Sequence, residues 1–212
     1  MEKSIRTFVN HWAEISVYLA GGVALLAILL PLSVVEKLLL ASIAVLFLHF
    51  FEEFSWPGGF AYMGMTMIMG CKEKDPAKWN CNNLSSLYGN WGFLLLIYVV
   101  PLFFPHVAVL TLAVMLFNAA EFLGHTFMFN IRLRKCYNPG MITALFGLAP
   151  ISIYYFVAVF DASLFAWYHY LIAFACCAVV FWLCFRSPWY WWLGRQEGYT
   201  FSEQAAFGLF EH

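Results

Sequence analysis

Two groups of polar and ionisable residues sit where a membrane chain should have almost none. The first is His49-Phe-Phe-Glu52-Glu53, which closes the apolar run Leu38 to Phe51. The second is Asn118, Glu121 and His125, with Glu121 and His125 in the last third of a later apolar run and Asn118 one turn earlier. Positions i, i+3 and i+4 share one face of a helix. His49, Glu52 and Glu53 therefore project to one side, as do Asn118, Glu121 and His125. Ionisable groups inside membrane helices are costly and mark functional sites by default.

Nitrogen and oxygen donors at helical spacing suit zinc first, with iron or manganese as alternatives. Helix bundles build such sites from carboxylate and histidine pairs on facing helices. The expected ligands of a divalent metal are His49, His125 and one or two of Glu52, Glu53 and Glu121. Glu53 or Glu121, whichever is not a ligand, would serve as general base or proton shuttle. Asn118 is a candidate catalytic hydrogen-bond donor. Tyr137 and Asn138 are candidates for supporting the ligands or contacting substrate. Three carboxylates fall one short of a ferritin-type di-iron set, which favours a mononuclear or incomplete dinuclear site. Two other readings stay open: a hydrogen-bonded network that locks two helices together, and a proton- or cation-coupled pathway.

The elements that must position these residues are membrane helices. Of 212 residues, 63% are hydrophobic and 11% charged, against about 25% charged in soluble domains. Mean hydropathy is +0.76. The expected fold is all-α: a polytopic bundle of about six transmembrane helices over 1–187, and an interfacial tail over 188–212. The spans are read at Ile15–Val35, Leu38–Phe51, Leu87–Phe104, His106–Phe129, Pro139–Phe160 and Ala162–Phe185, with turns at Pro101/Pro105 and Asp161. Leu38–Phe51 is too short for a core of about 30 Å. Its helix either continues past Glu52 and Glu53 or stops with them at the boundary. Trp56-Pro57-Gly58-Gly59 is a breaker, and Phe60 to Gly70 is read as a short interfacial or re-entrant helix over the site. Asp161 is expected to cap the sixth helix. His169 reads as interfacial or as a satisfied core histidine, His106 as solvated.

Ten of the eleven lysines and arginines fall on the side that holds both termini, and only Lys37 on the other. The positive-inside rule then makes that side cytoplasmic, in the cell (inner) membrane. Both polar clusters and Tyr137-Asn138-Pro139-Gly140 converge at the inner leaflet. Membrane lipid and a hydrophobic or lipid-like substrate are the expected partners. The net charge of -1 argues against nucleic acid. No Cys-x-x-Cys pair occurs among Cys71, Cys81, Cys136, Cys176, Cys177 and Cys184, which argues against a zinc ribbon or disulfide framework; Cys71 and Cys81 could pair, but on a reducing cytosolic side free thiols are the expectation. No feature speaks to oligomeric state.

His49-x-x-Glu52-Glu53, Asn118-x-x-Glu121-x-x-x-His125 and Tyr137-Asn138-Pro139-Gly140 together resemble the HXXEE-domain membrane proteins, over roughly residues 40–185. That resemblance implies the site and no reaction. A partial resemblance is to CAAX-type membrane metalloproteases, which also join paired glutamates to histidines on other helices. Their glutamate pair is followed four residues on by arginine, where this chain has Pro57. The expected activity is metal-dependent hydrolysis or acid–base isomerisation. The alternative is a small transporter using the same Glu/His cluster as a relay.

Overall fold

The computed structural model describes residues 2–104 and 106–210; Pro105, one of the expected turn prolines, lies outside them. Among these residues six helices are long and apolar enough to cross a membrane, which makes this a membrane protein. The order is α1 (Glu2–Asn10), α2 (Trp12–Leu29), α3 (Val34–Phe54), α4 (Phe60–Met63, continued by a π-helical turn over Gly64–Ile68), α5 (Asn83–Phe103), α6 (Ala108–Leu133), α7 (Met141–Val159), α8 (Trp167–Phe185), α9 (Pro188–Leu193) and α10 (Glu203–Phe207). The described residues contain no strand.

The length of α3 settles the short second span. Ser33 and Glu36 form a capping box at its start: the Glu36 amide donates to Ser33 Oγ, and Glu36 Oε2 accepts from the Ser33 amide at 2.9 Å. The helix therefore begins four residues before the apolar run and carries on past both glutamates to Phe54. At 1.5 Å per residue it reaches about 30 Å, enough to span. It is also the most buried span, with about half of its apolar stretch inside the protein. α2 lies along it, and α5, α6 and α7 pack around it. Phe50 and Phe54 stack against Trp12, at 5.7 and 5.2 Å between centroids.

The start of α8 differs from expectation. Asp161 accepts a hydrogen bond from the Ser163 amide at 2.9 Å, but what it caps is a short 3₁₀ turn, Ala162–Leu164. The helix itself starts at Trp167, where His169 Nδ1 accepts from the Ala166 amide at 2.8 Å. His169 is thereby satisfied by capping its own helix. The fourth span runs further than expected, to Leu133, and stops at Arg134 in the left-handed region.

One face carries the ends of the described chain. Asn10 Nδ2 donates to the Gly198 carbonyl at 3.2 Å, and Asn82 Nδ2 donates to the Leu193 and Gln196 carbonyls. From this face α10 presses on the turn after α3. The Gly59 amide donates to the Ala205 carbonyl at 3.2 Å, and Gln204 Nε2 donates to the Pro57 carbonyl. Tyr62 packs on Phe207 at 5.5 Å. The short helix α4 is therefore held from outside while its first residue, Phe60, covers the polar site at 5.7 Å from the His125 ring. All six cysteines are free thiols.

Candidate metal centre

Four side chains from two helices meet at one point. α3 supplies His49 and Glu53; α6 supplies Glu121 and His125. Glu53 Oε1 lies 3.4 Å from both His49 Nε2 and His125 Nε2. Glu121 Oε2 lies 3.3 Å from His125 Nε2 and 3.8 Å from His49 Nε2. His49, Glu53 and His125 are 2%, 4% and 1% exposed. Glu121 keeps 24% of its side chain open. His125 sits in a π-helical turn, Gly124–Met128, the kind of distortion often found at functional sites.

The far side of each imidazole fixes which nitrogen faces this point. Asn138 Nδ2 donates to the His125 carbonyl at 2.6 Å and to Asn130 Oδ1 at 2.7 Å. Both of its amide hydrogens are then used, so its Oδ1, 2.7 Å from His125 Nδ1, must accept from that nitrogen. On the other ring, His49 Nδ1 lies 2.8 Å from Thr143 Oγ1. The threonine's single hydrogen goes to Glu52 Oε2 at 2.6 Å, a charge-assisted bond shorter than its 3.2 Å contact with the Gly140 carbonyl. Thr143 must then accept from His49 Nδ1. A neutral imidazole that donates from Nδ1 presents a lone pair at Nε2. In the neutral form both rings would therefore aim lone pairs at two carboxylate oxygens; no lysine or arginine among the described residues pairs with either carboxylate.

This is the donor set a cation fits. Ligand atoms on a tetrahedral zinc sit about 3.3–3.4 Å apart, which matches three of the four separations. Direct charge-assisted N–H···O bonds would be nearer 2.7–2.9 Å. His49, Glu53 and His125 each offer an atom within 4.8 Å of the others and could hold a metal ion. Glu121 faces the same point with a freer side chain.

Glu52, expected as a ligand, turns away. Oε1 accepts from Tyr137 Oη at 3.0 Å and the Ile142 amide at 2.9 Å; Oε2 accepts from the Thr143 amide at 2.8 Å and Thr143 Oγ1. Four donors occupy its lone pairs. Two of them are orphan amides in the first turn of α7, where a carboxylate also meets the positive end of the helix dipole. Burial first, and then the Glu52 carboxylate, hold the Tyr137 phenol well above its usual pKa, so it remains an O–H donor. Glu52 fixes α7 to α3 and orients His49 through Thr143.

Asn118, expected as catalytic, is fully buried one turn deeper. Its Oδ1 accepts from Tyr98 Oη and its Nδ2 donates to Ser42 Oγ, both at 2.9 Å. It ties α3, α5 and α6 together and does not reach the four-residue cluster. The residues that sequence reasoning missed are Thr143 and Asn130. Thr143 sits just beyond the flagged Tyr137–Gly140 stretch, and Asn130 lies a turn beyond His125. Gly140 packs against both rings: at φ 97°, a Cβ there would come within 2.7 Å of both His49 Cε1 and His125 Nδ1.

A cavity with about 920 Å³ of space, mouth included, opens beside the cluster. His49, Glu53 and Glu121 form part of its wall, and Phe60, Met65 and Phe117 are among its apolar lining.

The fold and site define a small polytopic membrane protein with a buried His/Glu centre shared by two helices. The sequence profile of proteins of unknown function with an HXXEE motif matches residues 40–155, and the chain belongs to that family. The match takes in most of α3 through most of α7, and so every residue of the centre, and ends before α8. Searches of curated proteins and of solved structures find no match.

Proposed function

We propose that the protein is a membrane-embedded, divalent-metal-dependent enzyme acting on a hydrophobic or lipid-like substrate by hydrolysis or acid–base isomerisation. The observation that carries this reading is the convergence of two imidazole lone pairs and two carboxylates, with both Nδ1 atoms already committed elsewhere. Two carboxylates, Glu53 and Glu121, beside two neutral rings would leave the cluster with a net negative charge, which a divalent cation would offset. Zinc is the first choice, and it would supply Lewis acidity.

His49, His125 and Glu53 would hold the ion. Glu121 is the general base: its side chain is the most open of the four, and it lies in the cavity wall, where substrate and water arrive. Thr143 and Asn138 hold the rings in one tautomer. The largely apolar cavity supports a lipid-like substrate. By the charge bias of the loops, the site belongs to the cytoplasmic leaflet of the cell membrane.

The test is elemental analysis of purified protein beside His49→Ala and His125→Ala. One equivalent of zinc, iron or manganese in the wild type, lost in both variants, is the expected result. Metal-free wild type that gains no thermal stability from added divalent ions would overturn the reading, and the cluster would become a proton relay or a structural network.

A further inference from the structure

The cavity wall contains one cation. Arg186, the residue that ends α8, lines the same space as His49, Glu53 and Glu121. Among the described residues no carboxylate lies within ion-pair distance of it. Its guanidinium donates to the sulfur of Met69, and its carbonyl accepts from Trp191 Nε1 at 3.1 Å. A thioether is a weak acceptor for an ion with five donors. Charge topology explains why an arginine sits at this end of the helix, but it does not explain why the guanidinium is in the wall of an apolar cavity.

The short helix over the site works as a ruler. Phe60, at its start, lies on the His125 ring; Met69, just past its end, receives the Arg186 hydrogen bond. At helical rise those two residues are about 13.5 Å apart. Met65 and Ile68 line the cavity between them.

We infer that the cavity binds a single-chain amphiphile with a carboxylate or phosphate head, seated with that head on Arg186 and its body along α4 toward the His/Glu centre. This deepens the proposed reading and rests on it only for the reaction. Charge complementarity names the head: an unpaired guanidinium in an apolar wall takes a planar or tetrahedral oxyanion, by bidentate bonds where geometry allows. The aromatic and methionine lining accepts the chain.

The experiment measures binding of radiolabelled laurate to the full chain in nanodiscs of zwitterionic lipid, by scintillation proximity. Competitors are lauryl phosphate, lauryl alcohol, dodecyltrimethylammonium and inorganic phosphate. Each is run on metal-loaded and on chelator-treated protein, because a carboxylate could also bind a metal directly. Laurate should be displaced by lauryl phosphate at least tenfold more effectively than by the alcohol or the cation, with or without metal. Inorganic phosphate alone should not compete. Arg186→Gln should weaken laurate binding at least tenfold and leave the alcohol's affinity unchanged, which shows that the cavity is intact; Arg186→Lys should retain part of the preference. Equal binding by Arg186→Gln, equal competition by the cation, or competition by inorganic phosphate as strong as lauryl phosphate overturns the inference. An anion preference that vanishes only on chelation also overturns it, while leaving the metal reading standing. A preference that persists in protein unable to bind metal supports it even where the enzyme reading fails.

Discussion

Thr143→Val removes one oxygen and tests the chain of reasoning from Glu52 to the centre. The substitution keeps shape and volume. It deletes the acceptor that holds His49 Nδ1 at 2.8 Å and one of the four donors to Glu52; the Thr143 amide bond to Glu52 Oε2 remains. His49 then has no partner on its far side, and neither tautomer is favoured. Losing such a partner typically weakens metal affinity about 10–100-fold, or about 1.4–2.8 kcal/mol. A buried ring nitrogen left without a partner should also lower stability by about 1–3 kcal/mol. The assay is competition for zinc against a chromophoric chelator, with thermal unfolding measured on the same preparations. Thr143→Ser keeps the hydroxyl and should stay near wild type. Thr126→Val is a matched control on the neighbouring helix: the Thr126 hydroxyl is buried with no hydrogen-bond partner among the described residues, so its loss should be neutral or slightly stabilising. If Thr143→Val binds zinc within twofold of wild type while His49→Ala loses it, the Glu52–Thr143–His49 arrangement does not orient a ligand.

Asn118→Ala should lower stability by about 2–4 kcal/mol, because Tyr98 and Ser42 both lose their shared partner in a dry interior; metal stoichiometry at low temperature should not change, and loss of metal from folded protein would return Asn118 to the site. Gly140→Ala should cost about 2–5 kcal/mol, since φ 97° strains any Cβ and this one would press on both imidazoles; wild-type stability in that variant would show that the rings are not packed around the glycine. Maleimide at pH 8 should label Cys136, which is exposed, and spare Cys81, which is buried with its thiol pushed up to about 12 by that burial. Mass spectrometry of the peptides reads the result, and fast labelling of Cys81 would mean that its loop opens readily.

Periodicity and composition were enough to read six apolar helices and to place His49, Glu53, Glu121 and His125 on helix faces. Those features are local: they depend on 3.6 residues per turn and on the length of an apolar run. The same local logic stated that the second span either continued past Glu52 and Glu53 or stopped with them. The capping box at Ser33 and Glu36 was present in the sequence, and it is what starts α3 early enough to span.

Tertiary structure alone decided the division of labour within the Glu52-Glu53 pair. Adjacent residues on a helix differ by about 100° in direction. Glu53 faces α6 and joins His125, while Glu52 faces the first turn of α7 and its unpaired amides. Spacing shows which residues share a broad face, but not which neighbouring helix each will meet. Asn118 likewise shares a face with Glu121, yet one turn of depth puts it among Tyr98 and Ser42. Thr143, Asn138 and Arg186 acquire their roles from partners or walls distant in sequence. A residue's type and helical phase are properties of its own segment. Its partner is a property of how six helices pack, because only packing sets the depth and rotation of one helix against the next.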